Sequence, residues 1–243
     1  MKEEKIIQSA SINTIAIVFG MILMFIIVHL GFGATYIKHF PEFNGFKWVH
    51  HIHGALMGAW VLLLIVQPLF IHYKKFALHR LLGKLSYVLA PLMIVSMLFV
   101  AKHNYEKSIP AKSAVDVMAV QSITWMQIVL FTLFYSLAVY FRKNTYFHMR
   151  FMIGTAIVML GPPMNRILLS YFSDIPVPTI LLISLYIKTG IAAALLLNDL
   201  VKKKNSIPGL IVFGAFLFSD IVYHLRYSDA WQAVGRFIVN IFY

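Results

Sequence analysis

Of the 243 residues, 60% are apolar and 15% aromatic, only 12% are charged, and none is cysteine. Soluble domains run near 25% charged, so an ordinary soluble domain is excluded, and the missing cysteine excludes disulfides, thiolate catalysis and cysteine-held metal or iron–sulfur centres. Lysine and arginine outnumber aspartate and glutamate 21 to 9, a net +12, but the cations sit in short runs between apolar stretches, the pattern of bilayer orientation rather than of a nucleic-acid-binding surface.

A bilayer crossing needs about 20 mostly apolar residues. Seven stretches qualify, at 11–29, 49–71, 85–101, 123–141, 151–169, 178–200 and 208–224, and they leave no room for a separate soluble domain. The expectation is an all-α, polytopic membrane bundle in one domain, with a four-helix core over 48–171. One set of connections holds twelve cations: Lys2, Lys5, Lys74, Lys75, Arg80, Lys84, Arg142, Lys143, Arg150, Lys202, Lys203 and Lys204. The opposite set holds seven: Lys38, Lys47, Lys102, Lys107, Lys112, Arg226 and Arg236. The positive-inside rule therefore predicts a cytoplasmic N-terminus and, with an odd number of spans, an external C-terminus. The last stretch, 228–243, reads as a short amphipathic helix in the outer interface.

The two remaining cations lie inside spans. Lys188 is near the middle of 178–200, and Arg166 follows Pro162-Pro163, a pair that breaks the fifth span. Asp220 is the one acid deep in a span, with Asp199 nearer the inner edge of the sixth. Buried charges in hydrocarbon are paired or functional. Two readings stay open: Lys188 or Arg166 bridges to Asp220, or the three line a polar cavity open toward the outer face for an anionic group or a proton.

Ten histidines form two tiers. The outer tier comprises His29, His39, His50, His51, His53, His103 and His224. His50 and His53 share a helix face, as do Asp220 and His224, so His53, His224 and Asp220 are candidates to hold a Zn or Fe ion. The inner tier comprises His72, His79 and His148, of which His79 and His148 each precede a helix carrying glycine and then proline eight residues on (Gly83…Pro91 and Gly154…Pro162), a sign of a weak internal repeat. Gly54 and Gly58 form a Gly-x-x-x-Gly face suited to close helix packing.

The run Val49-His-His-Ile-His-Gly-Ala-Leu, then Gln67-Pro-Leu, then Leu78-His-Arg-Leu-Leu-Gly-Lys-Leu resembles a family of multi-spanning bacterial membrane proteins defined only as a domain of unknown function, over about residues 48–95. The resemblance implies the bacterial inner membrane and no particular activity. More distantly, the two tiers of histidine are similar to the transmembrane ascorbate-dependent ferric reductases, b-type cytochromes with one haem at each face of a four-helix core. That likeness implies an inner haem b between His79 and His148, and an outer one on His53 with His29 or His224. It also implies Arg166 or Lys188 beside the propionates, and a quinone as a further partner. Span four has no histidine, a departure from that plan. The sequence thus leaves open a haem b redox protein moving electrons or protons across the bilayer, a transporter or binder of a small anionic ligand, and a metal-dependent membrane hydrolase.

Overall fold

The structure is a computed structural model that describes residues 13–243. Those residues are helical without a strand: α1 (Thr14–Gly33), a 3₁₀ turn (Ile37–His39), α2 (Trp48–His72), α3 (Phe76–Ser108), α4 (Ala114–Tyr140), α5 (Thr145–Met159), α6 (Gly161–Tyr171), α7 (Val177–Val201), α8 (Ile207–His224) and α9 (Asp229–Phe242). Seven spans are long and apolar enough to cross a membrane, α5 and α6 together forming the fifth. Lys2, Lys5 and the expected start of the first span lie outside the described residues.

Local chemistry sets the helix ends. Asn144 and Ser113 accept from the backbone N–H groups of Phe147 and Asp116, at 3.2 and 3.1 Å, the side-chain capping that starts α5 and α4. The turns 73–75 and 141–144 are so short that α2 and α3, and α4 and α5, lie side by side. The third span runs 76–108 where hydropathy marked 85–101. Arg80 and Lys84 lower the apolar count of its first turns, yet a helix end in headgroups or water tolerates charge, so the helix simply continues. Pro91 lies inside this unbroken helix, whereas Pro162 and Pro163 occupy the first turn of α6. The two halves of the expected repeat therefore have different backbones.

The expected core over 48–171 is only part of what is buried. α4 is the most enclosed span, packed by α5 and α8 and, at its outer end, by α9. Trp60, Phe131, Phe134, Phe151 and Phe216 are fully buried. Close approach uses glycines other than the expected pair. A Cβ on Gly31 would lie 2.7 Å from Pro163 Cα, and one on Gly154 would lie 2.9 Å from the Phe134 ring. Among the described residues nothing lies within 4 Å of a Cβ built on Gly54 or Gly58, so no described helix uses that motif for close approach.

The C-terminal helix is short and amphipathic, as expected, and it also packs on the bundle. Trp231 Nε1 donates to the Met118 carbonyl at 2.8 Å, Gln232 Nε2 donates to the Val115 carbonyl at 3.2 Å, and Gly235 sits against the Met118 sulfur. α9 is therefore docked on the outer end of α4.

Candidate functional site

His79 and His148 line one cavity. It measures about 120 Å³, is partly open to the exterior, and lies in the half of the bundle that the positive-inside rule assigns to the cytoplasm. Its walls come from α1 (Thr14, Ile17, Met21), α2 (Leu64, Gln67, Pro68, Ile71), α3 (His79) and α5 (Thr145, His148 and the residues around Met152). These walls are almost wholly apolar, with the imidazoles at the rim. α1 packs chiefly on α2 and α6, which leaves the seam beside α5 for the cavity.

The polar groups around it are fixed by backbone partners. His148 Nδ1 donates to the Ala138 carbonyl at 2.9 Å, so in the neutral ring Nε2 is a free acceptor. Gln67 reaches across from α2 to the first turns of α3, beside Gly83. In the orientation that satisfies its neighbours, its amide accepts from Gly83 N–H at 3.0 Å. The same amide donates to the His79 carbonyl at 3.1 Å and to His79 Nδ1. His79 Nδ1 is thus an acceptor, and its Nε2 carries the proton. With Gln67 in that orientation the two rings take opposite tautomers, one presenting N–H and the other a lone pair. At the rim, Thr14 Oγ1 is 3.3 Å from Nδ1 of the exposed His72.

This donor set meets the type of atom a haem iron takes, but not the seat a haem needs. Axial ligation requires the Nε2 lone pair of both rings, and Gln67 holds His79 in the other tautomer. A cavity of about 120 Å³ is near the roughly 150 Å³ void that takes a single benzene ring, and well below the 300 Å³ at which pockets for larger ligands begin. The residues as placed do not fit a porphyrin.

The outer candidates are dispersed. His53, on α2, bonds through Nδ1 to Ser96 Oγ of α3 at 3.0 Å; Ser96 donates its own O–H to the Met93 carbonyl, which leaves His53 as the donor. His29 is exposed on α1, its ring tilted against Phe25 with centroids 5.2 Å apart. His224 meets the Tyr186 hydroxyl at 2.7 Å, and Asp220 accepts from Thr189 Oγ1 at 2.6 Å, both across the α7–α8 face. His53, His224 and Asp220 are not gathered, and among the described residues no group of three or more His, Asp or Glu is placed to hold a metal ion.

The expected bridge to Asp220 is also absent. Among the described residues neither Lys188 nor Arg166 makes an ion pair. Arg166 lies 4.5 Å from the Phe32 ring centroid, a cation–π contact. Lys188 is 3% exposed and lies against Gly161, with the Phe216 ring centroid 6.0 Å from its Nζ. The buried ion pair of this molecule is Arg150 with Asp199, two residues that sequence places at membrane edges. Nε of Arg150 donates to Asp199 at 2.9 Å, Nη2 donates to the other carboxylate oxygen, and Tyr146 Oη accepts from the same guanidinium at 3.2 Å.

Neither a protein-family model, nor a curated protein, nor a solved structure matches the chain. Function therefore rests on the sites themselves.

Gln127, Ser96, Ser184 and Asn165 carry polar chemistry that sequence reasoning did not assign. Each is a polar residue within a span, costly in hydrocarbon unless satisfied, and that was the available signal. Ser184 Oγ donates to the Gly161 carbonyl at 3.3 Å, whereas Asn165 Oδ1 is buried without a partner.

Proposed function

We propose that this multi-pass membrane protein belongs to the redox class and binds the ring of a lipid-soluble quinone in the cavity between His79 and His148. One observation carries the reading: an apolar, single-ring cavity has an N–H and a lone pair held ready at its rim. A quinone offers a carbonyl oxygen to the His79 Nε2–H. The corresponding quinol also offers a hydroxyl that the His148 Nε2 can accept, so the pair is complementary to both forms. The apolar walls suit the ring. The exposed His72, reached through Thr14, offers a proton acceptor between the rim and water. The chain's own part is to bind, orient and exchange a proton.

The test is titration of the purified protein in nanodiscs with a short-chain ubiquinone, read by quenching of tryptophan fluorescence. Saturable quenching is expected, weakened about tenfold or more by Gln67→Ala and by His148→Phe, since a hydrogen bond made in a dry site is worth about 1–3 kcal/mol when its partner is left unpaired. No saturable quenching overturns the proposal. A Soret band in the purified protein that is lost in His79→Ala would replace it with the haem reading.

A further inference from the structure

A second cavity lies at the other end of the bundle, between the last turns of α3 and the first turns of α4, and measures about 240 Å³. Its polar lining is Asn104, Lys107, Ser108, Lys112, Gln121 and Thr124, and it contains no acid. The third apolar stretch ends at 101 and the fourth begins at 123. The niche therefore sits at headgroup depth, at the end that loop charge assigns to the exterior.

Its side chains are not spent on the protein itself. Elsewhere on α4, Ser122 and Thr132 turn back on their own helix and donate to the Ala119 and Ile128 carbonyls, at 2.6 and 2.8 Å. Among the described residues Ser108 and Thr124 make no such bond, so their hydroxyls are left to the niche. Gln121 is 5% exposed; its Nε2 donates to the Ala101 carbonyl at 3.4 Å, and its Oε1 has no partner. A buried oxygen without a donor is costly, and the niche that Gln121 lines is where a donor can enter.

The charge balance is positive. Among the described residues neither Lys107 nor Lys112 makes an ion pair. The acids closest to them along the chain are taken: Glu106 lies 3.9 Å from Lys102, and Asp116 accepts from Ser113 Oγ at 2.6 Å and from Tyr227 Oη at 3.4 Å. The C-terminus of α3 contributes about half a negative charge, against two whole positive ones. An anion is favoured, and a ligand carrying its own ammonium or choline is not. Hydroxyls suit the neutral lining, since each both donates and accepts. The volume is below the roughly 300 Å³ at which pockets for larger ligands begin, which suits a single headgroup.

We infer that this niche binds a phosphoglycerol group, with the phosphate at Lys107 and Lys112 and the hydroxyls among Ser108, Gln121 and Thr124. Basic niches between spans at headgroup depth take anionic lipid headgroups, and phosphatidylglycerol of the outer leaflet is one source of this group; free glycerol phosphate is the other.

The experiment is thermal unfolding of the purified protein in an uncharged maltoside detergent at constant ionic strength. It is titrated with dihexanoyl phosphatidylglycerol, with phosphatidylmethanol and phosphatidylcholine of the same chain length, and with glycerol 1-phosphate. A ligand held only by the folded state raises Tm saturably. Phosphatidylglycerol is expected to do so, phosphatidylmethanol (equal charge, no hydroxyl) with a midpoint about tenfold higher, and phosphatidylcholine not at all. A matching rise with glycerol 1-phosphate assigns the site to the free phosphate; a rise with the lipid alone assigns it to the headgroup. Lys107→Gln with Lys112→Gln, both on exposed side chains, is expected to fold and to weaken phosphatidylglycerol at least tenfold. Gln121→Leu, which removes the unpartnered oxygen, and Thr124→Val are expected to bring its midpoint up to that of phosphatidylmethanol. Equal midpoints for the three lipids in the wild type, or an undiminished phosphatidylglycerol response in the lysine double variant, overturn the inference. None of these outcomes touches ubiquinone quenching at the other cavity.

Discussion

Arg150 is 6% exposed and Asp199 is fully buried; each satisfies the other, and Tyr146 completes the guanidinium's bonds. Removing one partner leaves an uncompensated buried charge, which costs about 3–5 kcal/mol, whereas replacing both by apolar groups of similar size is near neutral. Arg150→Met is therefore expected to lower stability by that amount in denaturant titrations of the micellar protein, and Arg150→Met with Asp199→Leu to recover most of it. This pair also marks the limit of sequence reading at the residue scale. Arg150 follows a basic turn and counts by position as a loop cation; that it is enclosed depends on α7 delivering Asp199 from 49 residues away, a long-range contact no local pattern carries. The neighbouring His79 and His148 were easier. Both open helices at the end of the bundle that loop charge assigns to the cytoplasm, so their common depth is readable from span order. Their opposite tautomers are not, because they depend on the Gln67 amide and the Ala138 carbonyl.

Among the elements, α9 shows how an amphipathic segment at the end of a bundle is tied to it. Its apolar stripe was legible at helical spacing, but its partner was not. The hydrogen bonds of Trp231 and Gln232 to the carbonyls of Met118 and Val115 are what commit it to α4. At its end, Lys102 Nζ donates to Tyr243 O at 2.8 Å, and burial of the Tyr243 phenol pushes its pKa from 10.0 up to about 12. The undocked phenol ionises first, so docking is constant below pH 10 and weakens as pH climbs from about 10 to 12. The fluorescence of Trp231 followed through an alkaline titration should show that release, and Tyr243→Phe should shift it out of this window. The break between α5 and α6 was readable from Pro162-Pro163; that Pro91 leaves α3 unbroken was not, since a lone proline in a long apolar helix is accommodated by its neighbours.

For the whole molecule, seven spans were legible because crossing a bilayer is a compositional requirement met by each segment alone. Their pairing was not, because glycine contacts such as Gly31 on Pro163 and Gly154 on Phe134 join distant segments. The orientation rests on loop charge, and the absence of cysteine makes it directly measurable. Single cysteines at Lys203 are expected to react with a membrane-impermeant maleimide only after the cells are opened, and those at Lys107 and Arg236 in intact spheroplasts; the reverse pattern would invert the topology. Gly31 and Pro163 carry one more consequence, for the order of manufacture. The first span can pack on α2 as soon as that hairpin is inserted, but the groove over Gly31 waits for a proline about 130 residues downstream, on the order of ten seconds at ordinary rates of synthesis. Until then one flank of the first helix has only lipid or the insertion machinery to lean on, and the bundle cannot shut before the fifth span has left the ribosome.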